Sequence, residues 1–328
     1  MSYKTLQDLI ESKVALGKQS ATGYRVVKCP CCSDYKYRGG WRFSATEIAY
    51  SCFNCSTVAV YNAVEGKISR KLRGVLKDFG ITDEDIAGVI GQNFFNRVEA
   101  PTISLESLHK VNLYTPEIAL PSNSVKVTSP DCPTRVRDGI QEYLQSRKLS
   151  IESYPFYYSS EKDFKHRFII PYFKQNKIVY WQARSLVDTD KLRYLNCSSP
   201  KNAIIFNYDE LFLSYNSPLF VCEGVFDALH LNGIGLLGST LCDEKLEILR
   251  KTRRPLIFVI DQDPKGKTLA YKIMQEKLGS ITFAERGKDV NKSIQDSGKL
   301  WAVHTILNNT LNYDDKQLPL KVDLMCKK

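Results

Sequence analysis

Five cysteines lie between residues 29 and 55, and four of them have the spacing of a metal site. Cys29 and Cys32 form one C-x2-C pair, and Cys52 and Cys55 form a second pair after nineteen intervening residues. Two such pairs present four thiolates to one ion, an arrangement typical of tetrahedral zinc with a structural role. We therefore expect a zinc ribbon here, with Cys31 outside the set of ligands.

The same segment interleaves aromatic and basic residues, a mixture that can stack bases and neutralise phosphates. The aromatic members are Trp41, Phe43, Tyr50 and Phe53, and the basic members are Lys28, Lys36, Arg38 and Arg42. The aromatic side chains could equally fill the small core of a ribbon. Both interpretations stay open from the sequence.

Four acidic residues follow apolar segments in the second half of the chain. Glu223 follows the segment LFVC, Asp261 and Asp263 follow LIFVI, and Asp289 comes soon after ITFAE. If these segments are parallel strands, their carboxyl ends meet at one edge of a sheet and bring the acids together. Carboxylates crowded in this way repel one another unless a divalent cation neutralises them. Each acid also has an ordinary explanation as a helix cap or a turn residue.

The elements that would position these acids can be predicted from apolar patterns. Strands are expected at 219–222, 234–237, 256–260 and 281–285, with helices near 225–232, 243–252 and 267–278. Short apolar strands that alternate with helices indicate an α/β fold with a mostly parallel sheet, covered on both faces. Earlier in the chain, residues 167–173 and 177–184 are expected to form a hairpin.

The first part of the chain should contain helices as well as the ribbon. Residues 3–15 have the pattern of a short helix, and apolar residues within 67–95 recur with helical spacing. Thr82 followed by Asp85 is typical of a capping box that opens a further helix. The prolines scattered among polar residues at 101–133 indicate an extended linker.

The composition limits the class of protein. A chain of 328 residues, 43% hydrophobic and 25% charged, is long enough for two or three folded domains. No apolar run approaches the roughly 20 residues of a membrane-spanning helix, so no membrane contact is expected. The net charge of +10 favours a polyanionic partner such as nucleic acid. Cysteines gathered into one metal site indicate a reducing compartment, the cytoplasm.

Three motifs of the second half carry a resemblance to a known family. The segments EGVFDAL at 223–229, IDQD at 260–263 and GKDVN at 287–291 resemble the Toprim domain. That domain is shared by DnaG-type primases, topoisomerases, RecR-like repair proteins and some nucleases. A four-ligand zinc ribbon before a basic hairpin and a Toprim domain is similar to DnaG-type primases, and the order of parts and the chain length most resemble the primases of T-even phages.

The resemblance implies a division of the chain into five parts. They are a template-binding zinc-ribbon domain at 1–65, a helical segment and proline-rich linker at 66–134, the basic N-terminal part of an RNA polymerase core at 135–215, a catalytic Toprim subdomain at 216–300 and a C-terminal tail at 301–328.

The resemblance also implies roles for individual residues. Glu223 matches an acid assigned as general base or metal ligand, Asp261 and Asp263 match a metal-binding pair, and Asp289 matches a later acid that helps to hold metal or nucleotide. The implied cation is Mg2+, or Mn2+ in its place. The residues implied to hold template and incoming nucleotide are Arg167, Gln182, Arg184, Lys191, Arg193, Tyr194, Lys288 and Asp289. A solvated basic face is the alternative interpretation of the basic residues.

The activity implied is that of a DNA primase, which makes short RNA primers from ribonucleoside triphosphates on single-stranded DNA. A replicative hexameric helicase is the further partner that the resemblance implies. One departure is the ribbon, which is all cysteine here, whereas cellular primases commonly have a histidine among the zinc ligands. The alternatives are a non-catalytic RecR-like DNA-binding protein and a Toprim nuclease; a topoisomerase is disfavoured because no nucleophilic tyrosine can be identified.

Overall fold

The computed structural model divides into two compact units. The first holds Met1–Glu99, Ala284–Arg286 and Ser297–Thr310, and the second holds Ala100–Phe283, Gly287–Asp296 and Leu311–Lys328. The residues that the structure describes are 5–20, 22–32, 34–44, 47–62, 67–95, 115–187, 190–213 and 217–326. Residues 101–114 of the linker predicted at 101–133 therefore lie outside the described residues, and within the rest residues 124–126 form a strand of an antiparallel sheet.

The elements are named in chain order. The helices are α1 (Leu6–Lys13), α2 (Arg70–Asp78), α3 (Asp83–Phe95), α4 (Thr134–Ser146), α5 (Val225–Leu231), α6 (Asp243–Leu249), α7 (Pro264–Glu276), α8 (Val290–Ser297), α9 (Lys299–Asn308) and α10 (Leu318–Met325). The strands are β1 (Arg25–Val27), β2 (Gly39–Phe43), β3 (Glu47–Cys52), β4 (Val58–Asn62), β5 (Lys67–Ile68), β6 (Ser124–Lys126), β7 (Tyr157–Ser159), β8 (Arg167–Lys174), β9 (Lys177–Ser185), β10 (Tyr194–Asn196), β11 (Leu219–Cys222), β12 (Ile234–Gly235), β13 (Leu256–Ile260) and β14 (Ser280–Phe283).

The first unit contains an antiparallel sheet with the strand order β1-β2-β3-β4-β5. In β2 and β3, Trp41 lies opposite Tyr50, and both rings are fully buried. Gly39 is required beside them, because a Cβ at this position would come within 2.8 Å of the Tyr50 hydroxyl. The helices α1, α2, α3 and α9 complete the unit.

The predicted capping box at the start of α3 is confirmed. The backbone N–H of Thr82 donates to Oδ2 of Asp85 at 3.0 Å, and the backbone N–H of Asp85 donates to Oγ1 of Thr82 at 3.2 Å. The two side chains thus satisfy backbone N–H groups that a helix start leaves without a partner. At Gly91 the helix approaches α9 so closely that a Cβ would lie 2.7 Å from the carbonyl oxygen of Leu300.

The second unit contains two sheets. One is antiparallel, with the order β10-β9-β8-β7-β6, and its β8–β9 pair is the predicted hairpin. The two turn residues, Gln175 and Asn176, have φ values of 51° and 63°. Two consecutive left-handed residues are the conformation of the tight turns that match the twist of a hairpin. Oδ1 and Oδ2 of Asp209 accept from the backbone N–H of Gln175, which ties the turn to the following segment.

The other sheet of the second unit has the order β12-β11-β13-β14, and all three of its pairings are parallel. The parallel sheet expected from the sequence is therefore confirmed. Every residue of β11 and β13 is buried, as expected for strands covered on both faces. The carboxyl ends of β11 and β13 lie side by side, since Cys222 pairs with Val259.

Two segments differ from expectation or extend it. α7 begins at Pro264 and not near residue 267, because Asp263 caps it and proline fits the first position of a helix. The segment 301–328, expected to be a tail, holds most of α9 and all of α10. Leu318 and Val322 of α10 are fully buried in the core of the second unit. No helix among the described residues has both the length and the apolar character needed to cross a membrane.

Candidate active site and zinc-binding cluster

The four cysteines with paired spacing meet in the first unit. The Sγ atoms of Cys29, Cys32, Cys52 and Cys55 all lie within 4.8 Å of one another. The Cys29–Cys55 and Cys32–Cys52 separations are 3.8 and 3.9 Å. A tetrahedral zinc ion with bonds of about 2.3 Å would set its sulfur ligands about 3.8 Å apart. The separations and the donor atoms therefore fit zinc.

Neighbouring groups orient these sulfur atoms. Asn54 donates from its side-chain amide to Sγ of Cys32 at 3.3 Å and from its backbone N–H to Sγ of Cys52 at 3.4 Å. Hydrogen bonds from Thr57 lower the pKa of Cys55 to about 6, which favours the thiolate that binds metal. The remaining thiol, Cys31, lies 3.6 Å from Oδ2 of Asp78 and outside the four-sulfur group.

The structure separates the aromatic residues of the ribbon into two groups. Trp41 and Tyr50 are fully buried and pack against Phe79, with ring centroids 5.9 and 5.7 Å away. For these two residues the base-stacking interpretation is wrong, because they form the core. Phe43 stacks on Trp41 at 6.4 Å. Phe53, by contrast, is 81% exposed.

Two exposed aromatic residues were missed by sequence reasoning. Tyr35 and Tyr37 are 75% and 57% exposed, and the Nζ atom of Lys36 lies 5.7 Å from the centre of the Tyr35 ring. Their exposure could have been predicted from their position, because they follow the first cysteine pair directly and lie outside the alternating pattern of a strand. Asp34, which precedes them in sequence, is buried and forms an ion pair with Arg38 at 2.7 Å.

In the second unit, two of the predicted acids lie next to each other at the carboxyl edge of the parallel sheet. Glu223 is 8% exposed, and its Oε1 accepts from the backbone N–H of Asp261 at 3.2 Å. Burial raises the pKa of Glu223 to about 7, and the charges of Asp263 and Asp227 add to this effect. Burial, with the surrounding carboxylates, raises the pKa of Asp261 to about 9. These shifts reflect carboxylates placed near one another in a poorly solvated site.

A fifth acid, Asp227, joins them and was missed as a site residue. It lies in the first turn of α5, is 9% exposed, and its Oδ1 accepts from the backbone N–H of Asn291 at 2.8 Å. Burial and the charge of Asp289 raise its pKa to about 7. The signal for it was present in the EGVFDAL motif, where it follows Glu223 by one turn of helix.

Asp263 and Asp289 each cap a helix, which is the alternative role that the sequence left open for them. Oδ1 of Asp263 accepts from the backbone N–H of Gly266 at the start of α7, and Oδ1 of Asp289 accepts from the backbone N–H of Lys292 in α8, both at 2.8 Å. Each therefore caps a helix with one carboxylate oxygen. The two caps place both side chains near the other acids, and the charges of Asp263 and Asp289 contribute to the raised pKa of Asp261.

The acids are less tightly grouped than the cysteines. Within the described ranges, the cysteine group is the one set of three or more ligand residues whose atoms all lie within 4.8 Å. Magnesium is commonly held by one or two carboxylates, with water and substrate phosphates completing an octahedron. The carboxylates gathered at this sheet edge, of which Glu223 and Asp227 are buried, are therefore a suitable donor set for Mg2+ or Mn2+.

The predicted basic residues fall into a buried and an exposed group. The Arg167 guanidinium is buried and donates to Oδ2 of Asp190 at 2.6 Å and to the Leu192 carbonyl at 2.8 Å. Arg184 is also buried; its Nε donates to the Tyr143 hydroxyl at 2.7 Å. These two side chains brace the antiparallel sheet and the loop after it. Lys191, Arg193 and Lys288 are exposed.

Gln182 and Tyr194, which the resemblance also implied to hold template and nucleotide, have partners within the protein. The Tyr172 hydroxyl donates to Oε1 of Gln182 at 2.5 Å, and the Gln182 amide donates to Oδ1 of Asn196 at 2.8 Å. The Tyr194 ring lies 4.9 Å from the guanidinium of Arg184.

A cation that the sequence did not reveal lies beside Asp227. The Arg147 guanidinium, just after α4, lies 4.9 Å from the Tyr143 ring centre and 5.0 Å from that of Phe226. Its charge lowers the pKa of Asp227, against the larger effect of burial. No local pattern marks Arg147 as a site residue, because Phe226 and Asp227 belong to α5, far along the chain.

Comparison with known proteins agrees with the resemblance drawn from the motifs. No family model matches the chain. The chain is 26% identical over 196 residues to a protein of Campylobacter jejuni named DNA primase; the match covers 50% of this chain and 31% of the relative. The chain thus spans about a third of the length of the curated relative that it matches.

Solved structures of primases are also similar to the chain. The RNA polymerase domain of Mycobacterium tuberculosis primase DnaG matches with a TM-score of 0.47 and 16% identity, over 57% of this chain and 80% of that one. The zinc-binding and RNA polymerase domains of the Aquifex aeolicus primase match with a TM-score of 0.44 and 15% identity, over 93% of this chain and 83% of that one.

Proposed function

We propose that this chain is a DNA primase of the DnaG type, which makes short RNA primers from ribonucleoside triphosphates on single-stranded DNA. The observation that carries the proposal is the meeting of buried acids at the carboxyl edge of the parallel sheet, where Glu223 accepts from the backbone of Asp261. The four-sulfur cluster of the other unit and the match to a relative named DNA primase support it.

In this proposal Glu223, Asp261 and Asp263 hold magnesium, and Asp289 helps to hold metal or nucleotide. Bound magnesium would neutralise the triphosphate and polarise the phosphorus for attack by a 3′-hydroxyl. Glu223 is buried and Asp261 is partly buried, and the caps on α7 and α8 fix Asp263 and Asp289. Arg147 balances part of the negative charge from the side of Asp227.

The basic residues would divide their work according to exposure. Lys191, Arg193 and Lys288 are exposed and free to approach template or triphosphate in solution. Arg167 and Arg184 are buried, and in the proposal they hold the antiparallel sheet and the loop carrying Lys191 in place.

We further propose that the template is contacted by the exposed aromatic residues Tyr35, Tyr37 and Phe53 of the zinc ribbon. Aromatic rings accept stacked bases of any sequence, and Lys36 supplies a neighbouring positive charge. Replacing Phe53 with serine should weaken binding of a single-stranded oligonucleotide about tenfold. The exposed Leu320, in the other unit, provides the control variant Leu320→Ser, which should bind DNA as the unaltered chain does.

Product analysis tests the proposal as a whole. With single-stranded DNA, labelled ribonucleotides and magnesium, the chain should yield short oligoribonucleotides. Glu223→Gln and Asp261→Asn should abolish primer synthesis and keep DNA binding. The control Glu247→Gln, at an exposed acid of α6, should keep both. Degradation of the template would favour a Toprim nuclease, and binding without product would favour a RecR-like protein.

A replicative helicase as partner, a cytoplasmic location and a phage origin are parts of the same proposal. The helicase and the phage origin rest on the order of parts along the chain. The cytoplasmic location rests on the need of four cysteine ligands for a reducing compartment.

A further inference from the structure

A short loop after β12 borders the acidic site on the side of Glu223. The backbone N–H of Gly238 donates to the carbonyl of Glu223 at 2.9 Å, and the N–H of Leu236 donates to the carbonyl of Cys222, also at 2.9 Å. The loop comprises residues 236–240, which we call the edge loop. It follows a strand that pairs with β11, the strand that ends at Glu223.

The edge loop has an unfavourable backbone conformation. Leu237 has a φ of 57° and Gly238 a φ of 112°. Glycine accepts such values without cost, but a leucine at positive φ is strained and keeps this conformation only where its surroundings impose it. Strained residues of this kind are concentrated at functional sites, and they persist only where neighbouring groups hold them in place.

Lys245 of α6 is the side chain that joins the two ends of the edge loop. The side chain is 3% exposed, and Nζ donates to the carbonyl of Leu236 at 2.5 Å and to the carbonyl of Thr240 at 3.4 Å. The two carbonyls belong to the two ends of the edge loop. Among the described residues, no carboxylate lies within ion-pair distance of Lys245. A buried ammonium without a carboxylate partner reduces the stability of the fold. Both hydrogen bonds of Nζ are made to carbonyl groups of the edge loop.

The middle of the edge loop offers donors to a ligand. In the described part of the chain, neither the backbone N–H of Ser239 nor that of Thr240 donates to another residue, and Thr240 is exposed. Each residue also carries a hydroxyl group. Neutral N–H and O–H donors beside buried carboxylates can bind a phosphate whose charge is shared with a metal ion.

We infer that Lys245 is a positioning residue that holds the edge loop in place, so that Ser239 and Thr240 bind the triphosphate of the incoming nucleotide next to Glu223. The inference deepens the proposed function and rests on it. Lys245 does not touch substrate; it acts through the carbonyls of Leu236 and Thr240.

The test replaces Lys245 with methionine, which has a similar length and no charge. The matched control is Lys251→Met, just beyond the same helix, where the ammonium pairs with Glu247 at the surface. In Lys245→Met, amide hydrogen exchange across the edge loop should accelerate about tenfold, and the KM for ribonucleotides should rise about tenfold with kcat and DNA affinity nearly unchanged. Lys251→Met should change none of these.

A second variant keeps the inference testable if Lys245→Met does not fold. Lys245→Gln has no charge and a shorter side chain that cannot reach both carbonyls, and it should also raise the KM for ribonucleotides. Unchanged exchange in the edge loop, or an unchanged KM in a folded Lys245→Met chain, would overturn the inference.

The proposed function can fail separately. If the unaltered chain makes no primers, the affinity for magnesium and inorganic triphosphate is measured by calorimetry. Lys245→Met should then bind this probe about tenfold more weakly than Lys251→Met. Equal affinities of the two variants would overturn the inference on its own ground.

Discussion

Glu223, Asp227 and Asp261 are carboxylates with little access to water, and each disfavours the ionised form of its neighbours. Burial raises the pKa of Asp261 to about 9, so this side chain holds a proton at neutral pH when no cation is present. Residues arranged in this way reduce stability, and a cation that binds among them relieves the repulsion. The acids are therefore better explained by ligand binding than by support of the fold.

Asp227 provides a test at the residue scale. Asp227→Asn retains the oxygen that accepts from the Asn291 N–H and removes the negative charge, so the thermal midpoint should stay the same or rise. Primer synthesis should fall about a hundredfold, because an electrostatic group of the site is lost. Asp227→Ala serves as the comparison, since it also removes the acceptor and should cost about 1–3 kcal/mol of stability. Full activity in a folded Asp227→Asn chain would argue against a role in the site.

His304 makes the stability of the first unit dependent on pH. Burial lowers its pKa from 6.5 to about 4, and the charge of Arg73 acts in the same direction, against that of Asp83. The ring also lies against the side chains of Arg73 and Asn308. Above pH 6.5 the ring is neutral in both folded and unfolded states. As the pH falls from 6.5 toward 4, the unfolded state takes up a proton and the folded state does not.

The folded first unit should therefore lose up to about 3 kcal/mol between pH 6.5 and pH 4 through His304. Denaturant unfolding at several pH values measures the loss, and His304→Gln should show a flatter profile over this interval. His166→Gln, at an exposed position, is the control. Identical profiles for the His304 variant and the unaltered chain would contradict this account. Zinc release in acid affects both proteins alike.

At the scale of elements, the parallel sheet determines where the acids lie. β11 and β13 are adjacent and parallel, so their ends bring Glu223 and Asp261 together without any contact between residues close in sequence. α10 supports this arrangement by packing against α7, which begins directly after Asp263. The Tyr271 hydroxyl of α7 donates to Oδ1 of Asp323 at 2.8 Å, and Lys267 pairs with Asp323 at 3.0 Å.

α10 should therefore contribute to stability through its buried face. Leu318 is fully buried, whereas Leu320 is 65% exposed on the same helix. Leu318→Ala should cost about 2–5 kcal/mol in denaturant unfolding of the second unit, because it leaves a cavity. The matched change Leu320→Ala should stay within about 0.5 kcal/mol. Equal effects of the two substitutions would show that α10 does not pack as described.

At the scale of the whole molecule, the chain forms two compact units with different means of stabilisation. The parallel sheet of the second unit has a large apolar core on the face of Leu219, Val221 and Phe258, and the residues of β11 and β13 that face the other way are buried as well. The ribbon of the first unit has a small core around Trp41 and Tyr50, so its strands depend on the metal cluster beside them.

Removal of zinc should affect the two units unequally. A chelator should release about one zinc ion per chain and abolish amide protection across β1 to β4, while protection of β11 and β13 persists. Cys32→Ser should lower the zinc content in the same way, and Cys31→Ser should not, because its sulfur lies outside the cluster. Metal analysis with hydrogen exchange checks both outcomes. Unchanged protection of the ribbon after proven zinc loss would contradict the dependence on metal.

The features that could be predicted from sequence depend on residues near one another along the chain. A C-x2-C pair turns back on itself, so Cys29 with Cys32 and Cys52 with Cys55 could be recognised by spacing alone. The apolar segments of β11 and β13, the β8–β9 hairpin and the Thr82–Asp85 box follow likewise from short-range patterns.

Other features depend on which segments pack together, and no local pattern specifies that choice. The aromatic residues Trp41 and Phe53 look alike in sequence, but one is in the core and the other is in solvent. Arg147 lies against Phe226 because α4 and α5, which are far apart along the chain, meet there. Side-chain neighbours of this kind arise from long-range packing, in which the burial of apolar faces outweighs local preference.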